Sequence, residues 1–211
     1  MRMKKKKNRD LRMERCKDLL VAPPFPRGAW QEYFQNTRPV HLEIGCGKGG
    51  FIASLAEKNP QINYIAVEKC ADVLVNALET AKEMKLQNLR FICGDATILE
   101  EIFRPGECAR LYLNFSDPWP KSRHAKRRLT YRTFLEKYRA LLSPIHGELH
   151  FKTDNRGLFE FSLNEFCNAG LGLRNITLDL HNSKFEGNVM TEYEALFSSK
   201  GMPIYRCEVL F

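Results

Sequence analysis

The sequence predicts an α/β protein built on a mostly parallel β-sheet with helices on both faces. Five apolar runs of strand length occur in the first three quarters of the chain, at residues 40–44, 62–67, 89–93, 111–115 and 148–152. Segments of helical period lie between or after them, at residues 50–58, 71–86, 131–142 and 156–169. Strand, helix and strand in repeated succession indicate parallel strands that are joined by right-handed crossovers.

The pattern changes after residue 170. Two further strands are predicted at residues 173–180 and 204–211, with a short helix near residues 191–198 between them. We expect these strands to close the sheet as an antiparallel edge pair. The whole chain therefore predicts seven strands, mostly parallel, with an antiparallel edge strand.

Length and composition favour one domain in a reducing compartment. The chain has 211 residues, of which 44% are hydrophobic, enough for one substantial core. No run approaches the roughly 18 consecutive apolar residues of a membrane span, and the basic N-terminus lacks the apolar run of a signal peptide, so we expect a cytoplasmic protein without membrane contact. The 7 cysteines are scattered without a CxxC pair, which predicts reduced, mostly buried thiols and neither disulfides nor a metal site.

Positive charge is concentrated at the N-terminus. Residues 1–20 carry nine Lys or Arg against three acidic residues, which accounts for most of the net charge of +8. The Pro-rich segment at residues 22–28 separates this arm from the body, so we divide the chain into an arm with its hinge, residues 1–28, and a domain, residues 29–211. Because each Lys or Arg placed near a phosphate releases counterions, the arm predicts contact with a polyanion; a disordered solubilising tail is the alternative.

A glycine-rich turn follows the first predicted strand, in the sequence EIGCGKGG at residues 43–50. Ligands of doubly wound sheets bind outside the carboxyl ends of the strands, and Gly45 and Gly47 let the backbone approach a ligand closely. Glu68 ends the second strand, where a carboxylate accepts hydrogen bonds from ribose hydroxyls. Taken alone, this pattern also fits an NAD-dependent dehydrogenase or a simple tight turn.

Acidic residues at successive strand ends favour S-adenosyl-L-methionine over a dinucleotide. Glu43 lies two residues before Gly45, where its charge repels a pyrophosphate and attracts the ammonium and sulfonium groups of S-adenosyl-L-methionine. Asp95 follows the third strand and is placed to accept from the adenine amino group. Its alternative role, capping a short helix near Thr97, is compatible with that contact.

A longer motif follows the fourth strand, NFSDPWPKSRHAKRR at residues 114–128, with FKTDN at 151–155 and TEYE at 191–194. These motifs follow the glycine turn, Glu68 at the end of the second strand and GDA at residues 94–96. The motifs in this order resemble the class I methyltransferase fold and, more narrowly, the bacterial tRNA (guanine-N7-)-methyltransferases of the TrmB type. The resemblance covers nearly the whole chain from residue 42 onward. It implies a Rossmann-like seven-stranded sheet, S-adenosyl-L-methionine as methyl donor, and methylation of guanine N7 at position 46 in the variable loop of tRNA.

The resemblance also implies the roles of individual residues. The positions that line its cofactor pocket match Glu43, Glu68, Asp95 and Asp117, and Asp117 is also taken as catalytic. The positions that face the guanosine match Lys121, Asp154, Thr191, Glu192, Tyr193 and Glu194. The positions that face the RNA backbone match Arg123, His124, Lys126, Arg127 and Arg128.

The chemistry of guanine independently suits a carboxylate beside a basic run. Guanine N7 has a free lone pair in the ring plane, so methyl transfer to it needs no prior removal of a proton. The reaction needs in-line placement and relief of the positive charge on the purine, and a fixed carboxylate such as Asp117 supplies both. Because N7 is enclosed in the deep groove of A-form helices, we expect an exposed guanine in structured RNA.

Several of these residues have structural alternatives that the sequence leaves open. Residues 123–128 also fit a solvated helix start, and Trp119 fits either a base stack or a core contact. Asp154 fits a cap for the helix that follows it, and Thr191 with Glu194 fits a capping box. The functional alternatives are an adenine or cytosine amino-group RNA methyltransferase and a non-catalytic RNA-binding module, and monomer and homodimer are equally compatible with the sequence.

Overall fold

The computed structural model describes residues 8–211, and the chain divides into two compact units, Met1–Arg104 and Pro105–Phe211. The strands of the first unit are β1 (Val40–Ile44), β2 (Asn63–Glu68) and β3 (Leu89–Cys93). Its α-helices are α1 (Arg9–Glu14), α2 (Trp30–Phe34), α3 (Gly50–Lys58), α4 (Ala71–Glu83) and α5 (Leu99–Ile102). Strand β2 pairs in parallel with both β1 and β3.

Largely apolar sequence explains the strands of this unit. All five residues of β1 are buried, as in a strand whose two faces are covered by helices. Helix α4 buries Leu74, Val75 and Leu78, at the three- and four-residue spacing of one helix face.

From residue 8 onward, the predicted basic arm is folded onto the first unit. Arg12 donates two hydrogen bonds to the carboxylate of Glu79 on α4, at 2.7 and 2.5 Å. Leu19 and Val21 are buried, and the Val21 N–H donates to the Phe91 carbonyl of β3 at 2.8 Å. The five basic residues before residue 8, Arg2 and Lys4 to Lys7, lie outside the described residues. The predicted boundary at residue 28 stays a prediction.

The second unit holds the other four strands, β4 (Arg110–Asn114), β5 (Glu148–Thr153), β6 (Gly172–Thr177) and β7 (Tyr205–Leu210). Its α-helices are α6 (Arg132–Leu141), α7 (Arg156–Asn168) and α8 (Glu192–Ser198), and a 3₁₀-helix spans Ser122–Arg127. Strands β4 and β5 are parallel, whereas β7 runs antiparallel to both β5 and β6.

The strand order is β3-β2-β1-β4-β5-β7-β6, which confirms the predicted seven-stranded, mostly parallel sheet with antiparallel pairing near one edge. The bounds of β1, β3 and α3 agree with the prediction. Strand β6 ends at residue 177 rather than 180. Within it, Asn175 adopts a left-handed conformation (φ 50°), and the register with β7 shifts there. Helices α1 and α2 were not predicted.

The described residues bear on two further predictions. No helix within residues 8–211 combines the length and apolar character of a membrane span. All seven cysteines are free, and most are buried, as predicted; Cys93 and Cys167 are the exposed ones. Burial raises the pKa of the Cys207 thiol to about 12.

Candidate active site

The glycine turn between β1 and α3 has the conformation that the motif requires. Gly45 and Gly47 have φ angles of 76° and 58°, a region that side chains disfavour. A Cβ atom on either residue would meet nothing within 4 Å, so open space borders the backbone here. Gly49 was not singled out in the sequence; its φ is 81°, and a Cβ would lie 2.5 Å from the Cβ of Ala77 on α4. Gly49 therefore permits the close approach of α3 and α4.

Glu68 joins the end of β2 to this turn. Its Oε2 accepts a hydrogen bond from the Gly47 N–H at 3.1 Å, and its Oε1 accepts from the Cys70 N–H at 2.8 Å. A carboxylate with both oxygens held in this way has a fixed position. The structure thus brings together Glu68 and Gly47, two residues that were predicted to bind the cofactor.

The other two acidic residues that were predicted to bind the cofactor in this unit are Glu43, near the end of β1, and Asp95, after β3. Glu43 is 2% exposed and lies on β1, two residues before Gly45. Asp95 is exposed, and its Oδ1 accepts from the Thr97 N–H at 3.0 Å, so the capping role considered for it is present. It lies two residues beyond Cys93, which pairs with Glu68 in the strand register.

These residues fit the predicted cofactor. Carboxylates at the ends of β1, β2 and β3 suit the cationic groups, ribose hydroxyls and adenine amino group of S-adenosyl-L-methionine. The left-handed glycines leave open space next to the Glu68 carboxylate. The first unit therefore offers a donor set for this cofactor.

In the second unit, residues 115–120 follow β4 and form what we call the DPWP loop, which holds two bulky residues in the left-handed region. Phe115 has φ 51° and Trp119 has φ 40°, conformations that are rare for large side chains. The Phe115 N–H donates to the Lys152 carbonyl at 2.9 Å, and Arg128 donates to the Pro118 and Trp119 carbonyls, both at 3.0 Å. Strained backbone held by such contacts is concentrated at functional sites. Asp117 is exposed within this loop.

The basic residues after the loop differ in their surroundings. Lys121, Arg123 and Lys126 are exposed. Arg127 is exposed as well, and its guanidinium carbon lies 4.9 Å from the centroid of the Trp119 ring. Arg128 differs because it is half-buried and donates to carbonyls of the loop.

Two other residues of the basic run, His124 and Arg128, contact aromatic rings. The His124 ring meets the Trp119 ring edge to face, with centroids 5.7 Å apart. The Arg128 guanidinium carbon lies 4.2 Å from the ring centroid of Phe161 on α7. Residues 122–127 form a 3₁₀-helix that is separate from α6, and contact with RNA stays a prediction.

The TEYE segment forms the start of α8. Thr191 caps the helix, because its hydroxyl accepts from the Glu194 N–H at 2.9 Å and the Glu194 carboxylate accepts from the Thr191 N–H at 3.3 Å. The capping box considered in the sequence is therefore present. Glu192 and Tyr193 are exposed.

Glu194 is fully buried and surrounded by donors. Lys152, on β5, donates to Glu194 Oε2 at 2.7 Å and also to the Val189 carbonyl at 2.9 Å. Asn188 and His181 contact the other carboxylate oxygen of Glu194, at 2.5 and 3.2 Å. Lys152 was not singled out in the sequence, although it stands next to Thr153 and Asp154 in the FKTDN motif.

Asp154 is half-buried after β5, but the cap of α7 is its neighbour. The Asn155 side chain accepts from the Leu158 N–H at 2.8 Å. Asp154 therefore does not cap α7, and its contact with the substrate stays a prediction.

A cluster of ionisable groups lies on β4 to β7, at residues outside the predicted site. Glu148, His150 and Glu208 bring possible ligand atoms within 4.8 Å of one another. Three arginines pair with these carboxylates: Arg110, Arg174 and Arg206. Because three guanidinium groups balance two carboxylates, we interpret the cluster as an ion-pair network rather than a cation site.

The network has a clear effect on acidity. Burial raises the pKa of Glu148, but His150 and Arg110 outweigh it and lower the value to about 2. Burial likewise raises the pKa of Glu208, and hydrogen bonds from Arg206 and Arg174 lower it to about 2. Burial lowers the pKa of His150, against the opposing effect of Glu148.

Comparison with known proteins agrees with this arrangement. A family profile described as a putative methyltransferase matches residues 37–207. A protein of Listeria innocua named tRNA (guanine-N(7)-)-methyltransferase is 53% identical, covering 100% of this chain and 99% of its own. A protein of the same name from Bacillus subtilis is 50% identical, covering 99% of this chain and 98% of its own.

Solved structures show the same fold at lower identity. An antibiotic related methyltransferase has a TM-score of 0.62 at 18% identity, covering 86% of this chain and 92% of its own. The 16S rRNA methyltransferase KamB has a TM-score of 0.62 at 15% identity, covering 88% of this chain and 92% of its own. These likenesses support the predicted class I methyltransferase fold.

Proposed function

This chain belongs to the putative methyltransferase family, and we propose that it transfers a methyl group from S-adenosyl-L-methionine to N7 of a guanine in tRNA. The observation that carries the proposal is an identity of 50% or more, over nearly the full length, to relatives named for that activity. Their names favour it over an amino-group methyltransferase and over an RNA-binding module. We further propose position 46 of the variable loop as the target and the cytoplasm as the location.

The first unit supplies the residues that bind the cofactor. When bound, S-adenosyl-L-methionine supplies a methyl group that is activated by its sulfonium charge. Glu43 attracts the cationic end, Glu68 accepts from the ribose hydroxyls, and Asp95 accepts from the adenine amino group. Gly45 and Gly47 leave the space that the ligand needs.

The second unit supplies the residues that recognise guanine. Asp117 accepts hydrogen bonds from the N1 and N2 hydrogens of guanine, an edge that adenine lacks. Its negative charge offsets the positive charge that the purine gains when N7 is methylated. No side chain has to remove a proton from N7, so the role of Asp117 is to orient the guanine and to stabilise the positive charge that forms on it.

The basic residues bind the tRNA backbone. Arg123, Lys126 and Arg127 are exposed after the DPWP loop, and each phosphate that they neutralise releases counterions. Tyr193 and Glu192 present exposed side chains at the start of α8. We assign Lys121, Asp154 and the 191–194 segment to the guanosine, and Arg123, His124, Lys126 and Arg127 to the backbone. Arg128 was predicted to face the RNA backbone as well, and we propose that it acts by holding the DPWP loop.

The test is methylation of bulk unmodified tRNA, with the modified base and its position read out by mass spectrometry. We expect 7-methylguanosine at position 46, and none in a tRNA that carries adenine there. Asp117→Ala should reduce turnover by at least about 100-fold, an effect typical of a lost transition-state contact, while the Kd for tRNA changes less than about twofold. Methyl transfer to another atom, or none, would overturn the proposal.

A further inference from the structure

Three aromatic rings meet beside the DPWP loop of the second unit. Phe115 follows β4, and Tyr193 and Phe197 lie on α8. Each of the three pairs has its ring centroids 6.3 Å apart, with interplanar angles of 21° to 22°. In a column of three rings, the outer pair would be twice as far apart as the inner pairs. Equal separations therefore mean that the three centroids form a triangle with sides of 6.3 Å rather than a single column.

This surface is accessible. Tyr193 is 59% exposed, and Phe115 and Phe197 are half-buried. Partly exposed aromatic rings are the kind of side chain on which a nucleobase stacks.

The rings lie on the segments that carry the proposed guanine contacts. Asp117 is two residues from Phe115 along the strained loop, and Thr191 is two residues from Tyr193. The backbone of Phe115 is held in its unusual conformation by the hydrogen bond to Lys152, which fixes the backbone from which the ring extends. The exposed positive charge of residues 121–127 suits a nucleic acid better than an apolar protein surface.

We propose that Phe115, Tyr193 and Phe197 form a stacking platform for the substrate guanine, which makes Phe115 and Phe197 further substrate-positioning residues. This inference rests on the proposed function, because it takes the base from tRNA. The platform supplies affinity for the flat face of a base and does not distinguish one base from another. Discrimination then falls to the edge contacts of Asp117.

The experiment compares substitutions that remove or retain the ring, with kcat and KM measured for tRNA. Phe115→Leu and Phe197→Leu should each raise KM about tenfold, the loss expected for a stacking contact, whereas Phe115→Tyr and Phe197→Tyr should stay within about twofold of the wild type. Leu and Tyr are both unbranched at Cβ, so they experience the same backbone strain at position 115. Tyr33→Leu is the control, because Tyr33 is an aromatic residue of α2 with 39% exposure.

Thermal unfolding and S-adenosyl-L-methionine binding are measured for every variant. If Phe115→Leu does not fold, the Phe197 pair of variants decides the outcome. An active wild type whose Leu variants keep the wild-type KM overturns the platform and leaves the proposed function intact. A wild type that makes no 7-methylguanosine overturns the proposed function, and the platform with it.

Discussion

Lys152 Nζ lies 2.7 Å from Glu194 Oε2, and the two side chains are 5% and 0% exposed. The pair joins the end of β5, just before Asp154, to the first turn of α8, just after Thr191. Two segments that are predicted to face the guanosine are thus tied by one buried ion pair. Removing one partner of such a pair is strongly destabilising, because the other charge stays buried without compensation.

Lys152→Met should therefore lower the free energy of unfolding by about 3 kcal/mol, measured by urea denaturation. The double variant Lys152→Met/Glu194→Gln should recover part of that loss, because the buried charge is gone. Lys17→Met is the control, since Lys17 and its partner Glu14 are 73% and 64% exposed, and it should change stability by less than about 1 kcal/mol. Equal losses for Lys152→Met and Lys17→Met would contradict this interpretation.

Glu68→Gln should weaken binding of S-adenosyl-L-methionine about tenfold, measured by calorimetry. The substitution removes a charged acceptor from the Gly47 and Cys70 N–H groups, and hydrogen bonds to charged groups contribute about 1.5–3 kcal/mol. Glu57→Gln is the matched control, because Glu57 is exposed on the neighbouring helix α3. An unchanged Kd in Glu68→Gln would remove this residue from the cofactor site.

The parallel strands were predictable because their cause is local. Residues 40–44 and 89–93 are short, largely apolar runs that are bounded by turn residues, and both are strands in the structure, the first fully and the second mostly buried. The capping box of Thr191 and Glu194 was also readable, because its two residues are three positions apart. Signals of this kind need no knowledge of the tertiary fold.

The features that sequence reasoning missed depend on residues far apart in the chain. Helix α1 is short and polar, and its Arg12 pairs with Glu79, 67 positions away. Phe115 meets Tyr193 only after β5 and α8 are in place. In the sequence, Lys152 has no feature that separates it from the other residues of its strand, and its ion pair with Glu194 forms only in the folded protein. Neither periodicity nor motif spacing contains that information.

Arg128 should differ from its basic neighbours. Arg123→Ala and Lys126→Ala remove exposed charges, so each should weaken tRNA binding and reduce the slope of log Kd against log salt by about 1. Arg128→Ala removes two hydrogen bonds to the Pro118 and Trp119 carbonyls, so it should lower kcat by disturbing the DPWP loop. Filter binding over a salt series and single-turnover kinetics measure the two effects. If Arg128→Ala changes only the salt slope, then its role is phosphate contact instead.

The ion-pair network on β4 to β7 should make stability sensitive to acid. The folded pKa values of Glu148 and Glu208, about 2, lie below the ordinary glutamate value of 4.5, so the unfolded chain takes up protons first as the pH falls. Their stabilisation is therefore complete above about pH 4.5 and is lost between that pH and about 2. Glu148→Gln should reduce the slope of unfolding free energy against pH by about 1 kcal/mol per pH unit near pH 3, measured by urea denaturation at a series of pH values. Glu160→Gln, whose carboxylate is 58% exposed, is the control, and an equal reduction in both variants would show that the network does not set this response.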